Sequence, residues 1–329
     1  MSSNFWNKLK KPIIVLAPMA DVTDVAFRRI IAKYGKPDVM WTEFVSADGL
    51  VKAPEEGKKK LLKDLEYSEA ERPIVAQFFT SSPENMEKAC RLAKELGFDG
   101  VDINMGCPDK SIEKQLAGAA LIKNPKLARE LIKAAKRGAG DLPVSVKTRV
   151  GYSKVELEEW LPELLAEEPA VLIVHARTRK EMSKVSARWE FVKRAVEIRD
   201  EFALRQAQDK NKQTLIFGNG DVRNLEEARA RVVETGCDGV MLGRAIFGNP
   251  WLFSEYVPTL KEKLLVMVEH TKLFEKLLGE YKNFSVMKKH YKAYVNGFDG
   301  AVELRTKLMN ANNAREVEKI VNGFLKNNG

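Results

Sequence analysis

Along the first three quarters of the chain, short apolar runs bounded by Gly, Pro, Asn or Asp recur at spacings that leave room for a helix between them. The runs are "PIIVLAP" (12–18), "DVMWTEF" (38–44), "PIVAQFF" (73–79), "GVDINM" (100–105), "LPVSVKTR" (142–149), "AVLIVHAR" (170–177), "TLIFGNG" (214–220) and "DGVMLG" (238–243). Most of the intervals carry helical periodicity. "SPENMEKACRLAKELG" opens on Ser-Pro, keeps Met86, Ala89, Cys90, Ala93 and Leu96 on one face and stops at Gly97. "NPKLARELIKAAKRG" and "NLEEARARVVETG" repeat the scheme of Asn cap, amphipathic body and closing Gly. Eight strands alternating with helices over about 250 residues predict an α/β fold, the TIM (β/α)8 barrel. The runs are apolar almost throughout, as parallel strands covered on both faces must be. Polar residues gather at their ends: Pro18-Met19, Glu43, Gln77, Asn104, Lys147 to Arg149, His175 to Arg177, Asn219-Gly220-Asp221 and Gly243-Arg244. In such a barrel the C-terminal strand ends carry the chemistry.

After Trp251 the pattern changes. From Val257 onward only helical periodicity remains, as in Leu260, Leu264, Val268 and then Phe274, Leu278. The division predicted is a barrel over 1–255 followed by a C-terminal all-α helical domain over 256–329. Within the barrel, "RDEFALRQAQDKNKQT" (199–214) is polar and reads as a loosely packed insertion before the seventh strand.

Composition narrows the class. A chain of 329 residues with 44% hydrophobic and 31% charged positions can bury a large core. Three cysteines, an odd number, argue against a disulfide scaffold and for a reducing compartment. The N-terminal stretch lacks a long apolar segment, and no later run is long and apolar enough to span a bilayer. The expectation is a soluble, cytoplasmic protein, with a monomer favoured. The net charge of +9 suits a polyanionic partner. Residues 256–329 hold 13 Lys+Arg against 8 Asp+Glu, so more than half of the excess sits in less than a quarter of the chain. With no Cys-x-x-Cys pair and three histidines far apart, no metal site is expected.

The strand ends suggest the chemistry. "GNGDV" and "GRAIFGNP", after strands seven and eight, are Gly-rich turns where barrels commonly bind a phosphate; Arg244 adds a charge there. Lys147 stands in an otherwise apolar strand and needs a negative partner. The electron-rich edge of a reduced flavin fits; a Schiff-base lysine is the rival. His175, followed by Arg177 and Arg179, is either structural or directed toward a phosphate or carbonyl. Of the cysteines, Cys90 belongs to a helix core and Cys237 lies under strand eight. Cys107, just past the end of strand four, is placed to donate a proton.

The stretches "APMADVTDVAFRR", "DINMGCPDK", "SVKTRVGY", "VHARTR", "GNGDV", "MLGRAIFGNPWLF" and "MKKHYKAYVNG" span nearly the whole chain. In them the chain resembles the tRNA-dihydrouridine synthases, flavin enzymes that reduce specific uridines of tRNA. The resemblance implies an FMN-binding TIM barrel, a helical tRNA-binding domain and NADPH as reductant. Carried over by position, Pro18, Met19 and Ala20 would pack on the flavin ring, and Gln77 and Lys147 would bond its polar edge. His175 would lie over the flavin or near its phosphate. Asn219, Gly220, Asp221, Gly243 and Arg244 would hold the ribityl phosphate. Cys107 would give a proton to carbon 5 of uracil, Asn104 would touch the uracil edge, and Arg177 and Arg179 would meet substrate. Lys288, Lys289, His290, Tyr291 and Lys292 are candidate contacts to the RNA backbone. Asp21 and Ala117 stand where the family commonly has glycine, and Asp21 adds a negative charge near an anionic substrate. Three rivals remain open: an FMN dehydrogenase of free pyrimidines, a flavin-free RNA-binding protein and a Lys147 aldolase.

Overall fold

The structure, a computed structural model, describes residues 4–206 and 213–328. All eight expected strands form: β1 (Ile13–Leu16), β2 (Met40–Ser46), β3 (Ile74–Phe79), β4 (Gly100–Met105), β5 (Val144–Arg149), β6 (Val171–His175), β7 (Leu215–Asn219) and β8 (Gly239–Leu242). They pair in parallel in the order β1-β8-β7-β6-β5-β4-β3-β2. Between β1 and β2 a bridge from Val15 to Val39 closes the ring. Among the described residues this is the barrel that the alternation of strands and helices predicts.

A period of two along each strand sorts the residues. Ile13 and Val15, Trp41, Val75, Val171 and Ile173, Phe217 and Met241 fill the interior with Trp6, whose ring lies 5.9 Å from Trp41 and 5.5 Å from Phe217. Two residues further along the same faces the character switches to polar: Gln77 after Val75, His175 after Ile173, Asn219 after Phe217. On β4 and β5 the inward series is polar earlier, with Asp102 before Asn104 and Ser145 before Lys147. The apolar floor and polar mouth of the barrel follow from this order of residues.

The helices obey their caps. Ser82 and Asn224 accept hydrogen bonds from Asn85 and Glu227 N–H, and Asn124 from Leu127 N–H. Two details differ from expectation. Helix 125–139 continues through Gly138 and closes at Gly140, whose φ is +64°. Gly138 is instead a packing glycine, since a Cβ there would lie 2.0 Å from the Glu87 carbonyl oxygen of helix 83–95. Leu96, assigned to the apolar face, is the C-cap and is exposed. The supposed insertion at 199–214 is also corrected over its first part. Helix Glu190–Arg205 runs through it and buries Val192, Ala195, Val196, Arg199 and Ala203 at helical spacing. Arg199 is buried because it donates to Asp238 at 2.6 Å. Residues 207–212 of that stretch lie outside the described residues.

Beyond the barrel, four helices of eight or more residues follow: Leu260–Leu278, Met287–Tyr294, Ala301–Met309 and Ala314–Asn328. The first two pack on helix Val25–Tyr34 of the barrel, where Phe27 stacks on His270 at 4.7 Å and meets His290 at 4.9 Å, and the last two pack on the other C-terminal helices. Lys33 and the Tyr34 hydroxyl both bond Glu269 at 2.6 Å. One hydrophobic core runs from the barrel helices into these helices without a break.

Candidate active site

The C-terminal strand ends surround a cavity of about 360 Å³, within the range of small-molecule sites. Its wall holds Pro18, Met19, Gln77, Asn104, Cys107, Lys147, His175, Arg177, Asn219, Gly220, Asp221, Gly243 and Arg244, thirteen of the fifteen residues expected from sequence. Two are outside it. Ala20 is exposed on the loop after β1. Arg179 pairs with Glu113 and donates to the Pro108 carbonyl at 3.3 Å, tying the loop after β6 to the loop carrying Cys107.

The Cys107 loop is suspended from the sheet. Asp102 is fully buried and accepts from Ser145 Oγ at 2.5 Å and from Gln77 Nε2 at 2.6 Å. Strand register makes these contacts, since Gln77 and Ser145 are the cross-strand partners of Asp102. Gln77 Oε1 in turn accepts from Asn104 Nδ2 at 3.0 Å. Asn104 Oδ1 accepts the N–H groups of Gly106 and Cys107 at 3.1 and 2.9 Å. On the other side, the Cys107 carbonyl accepts Ala119 N–H at 2.9 Å. Gly118 permits that approach: its φ is +61°, and a Cβ would lie 2.8 Å from the Cys107 oxygen. Ala117, at φ −110°, needs no glycine.

Charge in the cavity is one-sided. Lys147, half-buried, donates to Asn219 Oδ1 at 3.2 Å and has no ion pair among the described residues. Burial, and then repulsion from Arg149, lower its pKa to about 8. Arg149 is buried, and among the described residues its side chain bonds only carbonyls, those of Gly106, Thr178 and Met182, at 2.7, 3.2 and 3.4 Å. Burial brings its pKa down to about 10. Burial and the cations Lys147, Arg149, Arg177 and Arg244 push His175 well below the usual histidine range, so the ring is neutral. Arg177 Nη1 lies 3.2 Å from His175 Nε2. A guanidinium can only donate, so Nε2 accepts and Nδ1 carries the proton. Among the described residues Asp221 is the only carboxylate in the wall, and Arg177, Arg244 and the Ala187 N–H share it. Gly220, at φ +132°, leaves no room for a Cβ, which would sit 2.7 Å from Ala187 Cβ. The glycine is thus required by the packing of Ala187 and His175 against this turn of the cavity wall.

The other cysteines are core residues as expected. Cys90 is fully buried, and Cys237 donates to the Gly239 carbonyl at 3.2 Å. Cys107 is half-buried, and burial raises its thiol pKa against the opposing pull of Arg149 and Lys147. His290 and Tyr291, expected at an RNA surface, are fully buried in the junction with the barrel, because residues 287, 290, 291 and 294 form the apolar face of their helix. Lys292 of that helix is exposed, and Lys288 and Lys289 are half-buried.

Sequence reasoning placed Arg149 at a polar strand end without giving it a role, and did not assign Phe44, Met182, Ser183 or Met241 to the wall. Arg149 was readable, since it follows Lys147 by two on one strand face. Met182 and Ser183 come from a loop, where no period exists to follow. Another feature without a local signal is Lys282, in the turn after helix Leu260–Leu278. Its ammonium lies 2.8 Å from Glu43, 3.2 Å from Asp64 and 3.5 Å from Asp21. Among the described residues no group of three or more His, Cys, Asp or Glu side chains could hold a metal. No described helix is long and apolar enough to cross a membrane.

Fold and site together define the class: an α/β-barrel enzyme whose mouth is charged for an anionic ligand. The Dihydrouridine synthase (Dus) family profile matches residues 15–328. A probable tRNA-dihydrouridine synthase 2 of Bacillus subtilis (strain 168) is 40% identical over 328 residues, covering 98% of this chain and 97% of that protein. A probable tRNA-dihydrouridine synthase of Staphylococcus aureus (strain MRSA252) is 40% identical over 329 residues, covering 98% and 96%. The chain belongs to the dihydrouridine synthase family, a family of oxidoreductases. Two solved structures, a 2-naphthoyl-CoA reductase with 2-naphthoyl-CoA and a histamine dehydrogenase from Rhizobium sp. 4-9, each give a TM-score of 0.51, at 14% and 12% identity. They match 74% and 79% of this chain, which spans 49% and 48% of theirs, and the likeness concerns the fold alone.

Proposed function

We propose that this chain reduces uridines of tRNA to 5,6-dihydrouridine, with FMN in the barrel mouth and NADPH as reductant. One observation carries the reading. Two cations, Lys147 and Arg149, line the cavity without a carboxylate partner, and a protonated thiol shares the same wall. Buried cations without anions favour a ligand that brings negative charge.

The residues present fit FMN. Lys147 and Gln77 would meet its polar edge, and Pro18 and Met19 its ring. The backbone at Gly220 and Gly243, with Arg244, would take the phosphate, and Asp221 would keep Arg177 and Arg244 in place for it. His175, neutral, would add no charge of its own. FMN, when bound and reduced by NADPH, would supply the hydride that goes to carbon 6 of uracil.

The chain supplies the proton. Cys107 Sγ–H protonates carbon 5 as negative charge develops there, and the thiolate regains a proton from solvent. A thiol raised by burial stays protonated at neutral pH, which this task requires. Lys147 keeps a positive charge beside the site through the transfer. Asn104 holds the Cys107 loop and presents its amide to the same cavity, where the uracil edge would lie. The target base must leave its stack to enter the mouth. Helices over 256–329, with Lys288, Lys289 and Lys292, would form the tRNA-binding domain and contact the RNA backbone.

The test is a single turnover without oxygen. FMN-loaded protein is reduced, unmodified tRNA is added, and flavin reoxidation is followed for wild type and Cys107→Ala. Reoxidation by tRNA, slowed by roughly two to four orders of magnitude in the variant, is expected. A protein that binds no FMN, or one reoxidised by a free pyrimidine and not by tRNA, would overturn the proposal.

A further inference from the structure

The loop after β1 is held from outside the barrel. Asp21 has φ +54°, a conformation few residues other than Gly, Asn and Asp adopt readily. Its N–H donates to Glu43 Oε1, and the other oxygen of Glu43 takes the Lys282 ammonium at 2.8 Å. Asp21 Oδ1 reaches the same ammonium at 3.5 Å, and Asp64 a third side of it at 3.2 Å. Three carboxylates from three separate elements of the barrel thus converge on one cation that belongs to the C-terminal helices. The negative charge that Asp21 adds beside the mouth is met there.

The contacts form a continuous path. Lys282 fixes Glu43, Glu43 fixes the backbone of Asp21, and the turn from Met19 to Thr23 closes through Val22 N–H to the Met19 carbonyl at 3.0 Å. Pro18 and Met19, at the start of that turn, are cavity wall. Glu43 is nearly fully buried, so it cannot exchange Lys282 for water without cost. Other links across the junction, such as Lys33 to Glu269, stay on the outer helices.

We propose that Lys282 is a positioning residue that couples the seating of the C-terminal helices to the Pro18–Thr23 turn, whose first two residues are cavity wall. A polyanion docking on the helices then acts on the wall through Lys282 and Glu43. This last step rests on the proposed function; the coupling itself does not.

Hydrogen–deuterium exchange of the full chain tests the coupling. Lys282→Met should raise exchange of the amides in 19–23 by roughly tenfold, an ordinary strength for coupling between sites. Lys282→Arg should restore it, and Lys33→Met, which cuts a different pair across the same junction, should leave those amides unchanged. If Lys282→Met does not fold, Glu43→Gln gives a smaller rise in the same amides. Unchanged exchange in 19–23 overturns the proposal, as does an equal rise in Lys33→Met. The functional consequence is read on the FMN-loaded enzyme. Lys282→Met should raise KM for tRNA, and Lys282→Arg should return it toward the wild-type value. Should exchange rise while tRNA fails to reoxidise wild-type flavin, the coupling stands and the proposed substrate falls.

Discussion

Two lysines of this chain sit in opposite electrostatic settings. Lys147 enters the cavity with only an amide oxygen for company. Lys282 stands among three carboxylates. Burial works against the charge of both, yet the outcomes diverge. Lys147 is pushed down to about 8, while Glu43 and Asp64 hold Lys282 above the ordinary lysine value. Glu43, buried and close to Asp24 and Asp64, rises to about 7 even with Lys282 beside it. A cation surplus in a cavity suits a ligand that brings negative charge. A carboxylate surplus around one cation at a helix–barrel junction points to assembly of the chain itself.

The contrast is sharpest in stability. Lys282→Met should destabilise the protein by roughly 1–3 kcal/mol, since it leaves a buried oxygen of Glu43 without its donor. Lys147→Met should do the reverse in protein free of FMN, with a gain on the order of 1 kcal/mol. Thermal or urea unfolding of both variants measures this; a loss of stability in Lys147→Met would erase the distinction. The same substitution should weaken FMN binding by roughly 10- to 100-fold, the worth of a hydrogen bond from a charged donor.

A pH series refines the comparison. The folded-state pKa of Lys147 lies below its ordinary value of 10.5, so between about 8 and 10.5 the unfolded chain binds the extra proton. Stability of the FMN-free protein from this residue therefore rises with pH across that window, and the gap between wild type and Lys147→Met closes. FMN affinity should move the other way, falling as pH passes about 8 in wild type and staying flat in Lys147→Met. Fluorescence titration from pH 6.5 to 9.5 would show it, and a flat wild-type curve would remove Lys147 from the anion site. The smallest effect is expected for Arg244→Ala. Its guanidinium is mostly exposed and its pair with Asp221 is a surface one, so melting should change by less than about 1 kcal/mol.

What could be read in advance follows from range along the chain. Strands, caps and polar strand ends are local, and the period of two carries each strand from floor to mouth. Arg149 was within reach of that rule. Gly138 and helix 190–205 were not, because a glycine that admits a neighbouring helix looks like a cap, and a buried arginine looks like a surface one until Asp238 is placed beside it. His290 and Tyr291 were hidden by the lysines around them. The seat of Lys282 joins residues 239 positions apart, Lys282 to Glu43, and nothing near either one announces the other.

The line from Asp102 through Gln77 and Asn104 to the Cys107 backbone has a consequence for redesign. It hangs the thiol from side chains inside the sheet, whereas much of the surrounding rim is loop. Substitutions on the exposed rim that leave these contacts and the Arg179–Glu113 tie intact should leave the Cys107 backbone where it is. Under the proposed function, the choice of substrate and the delivery of the proton would rest on different parts of one mouth.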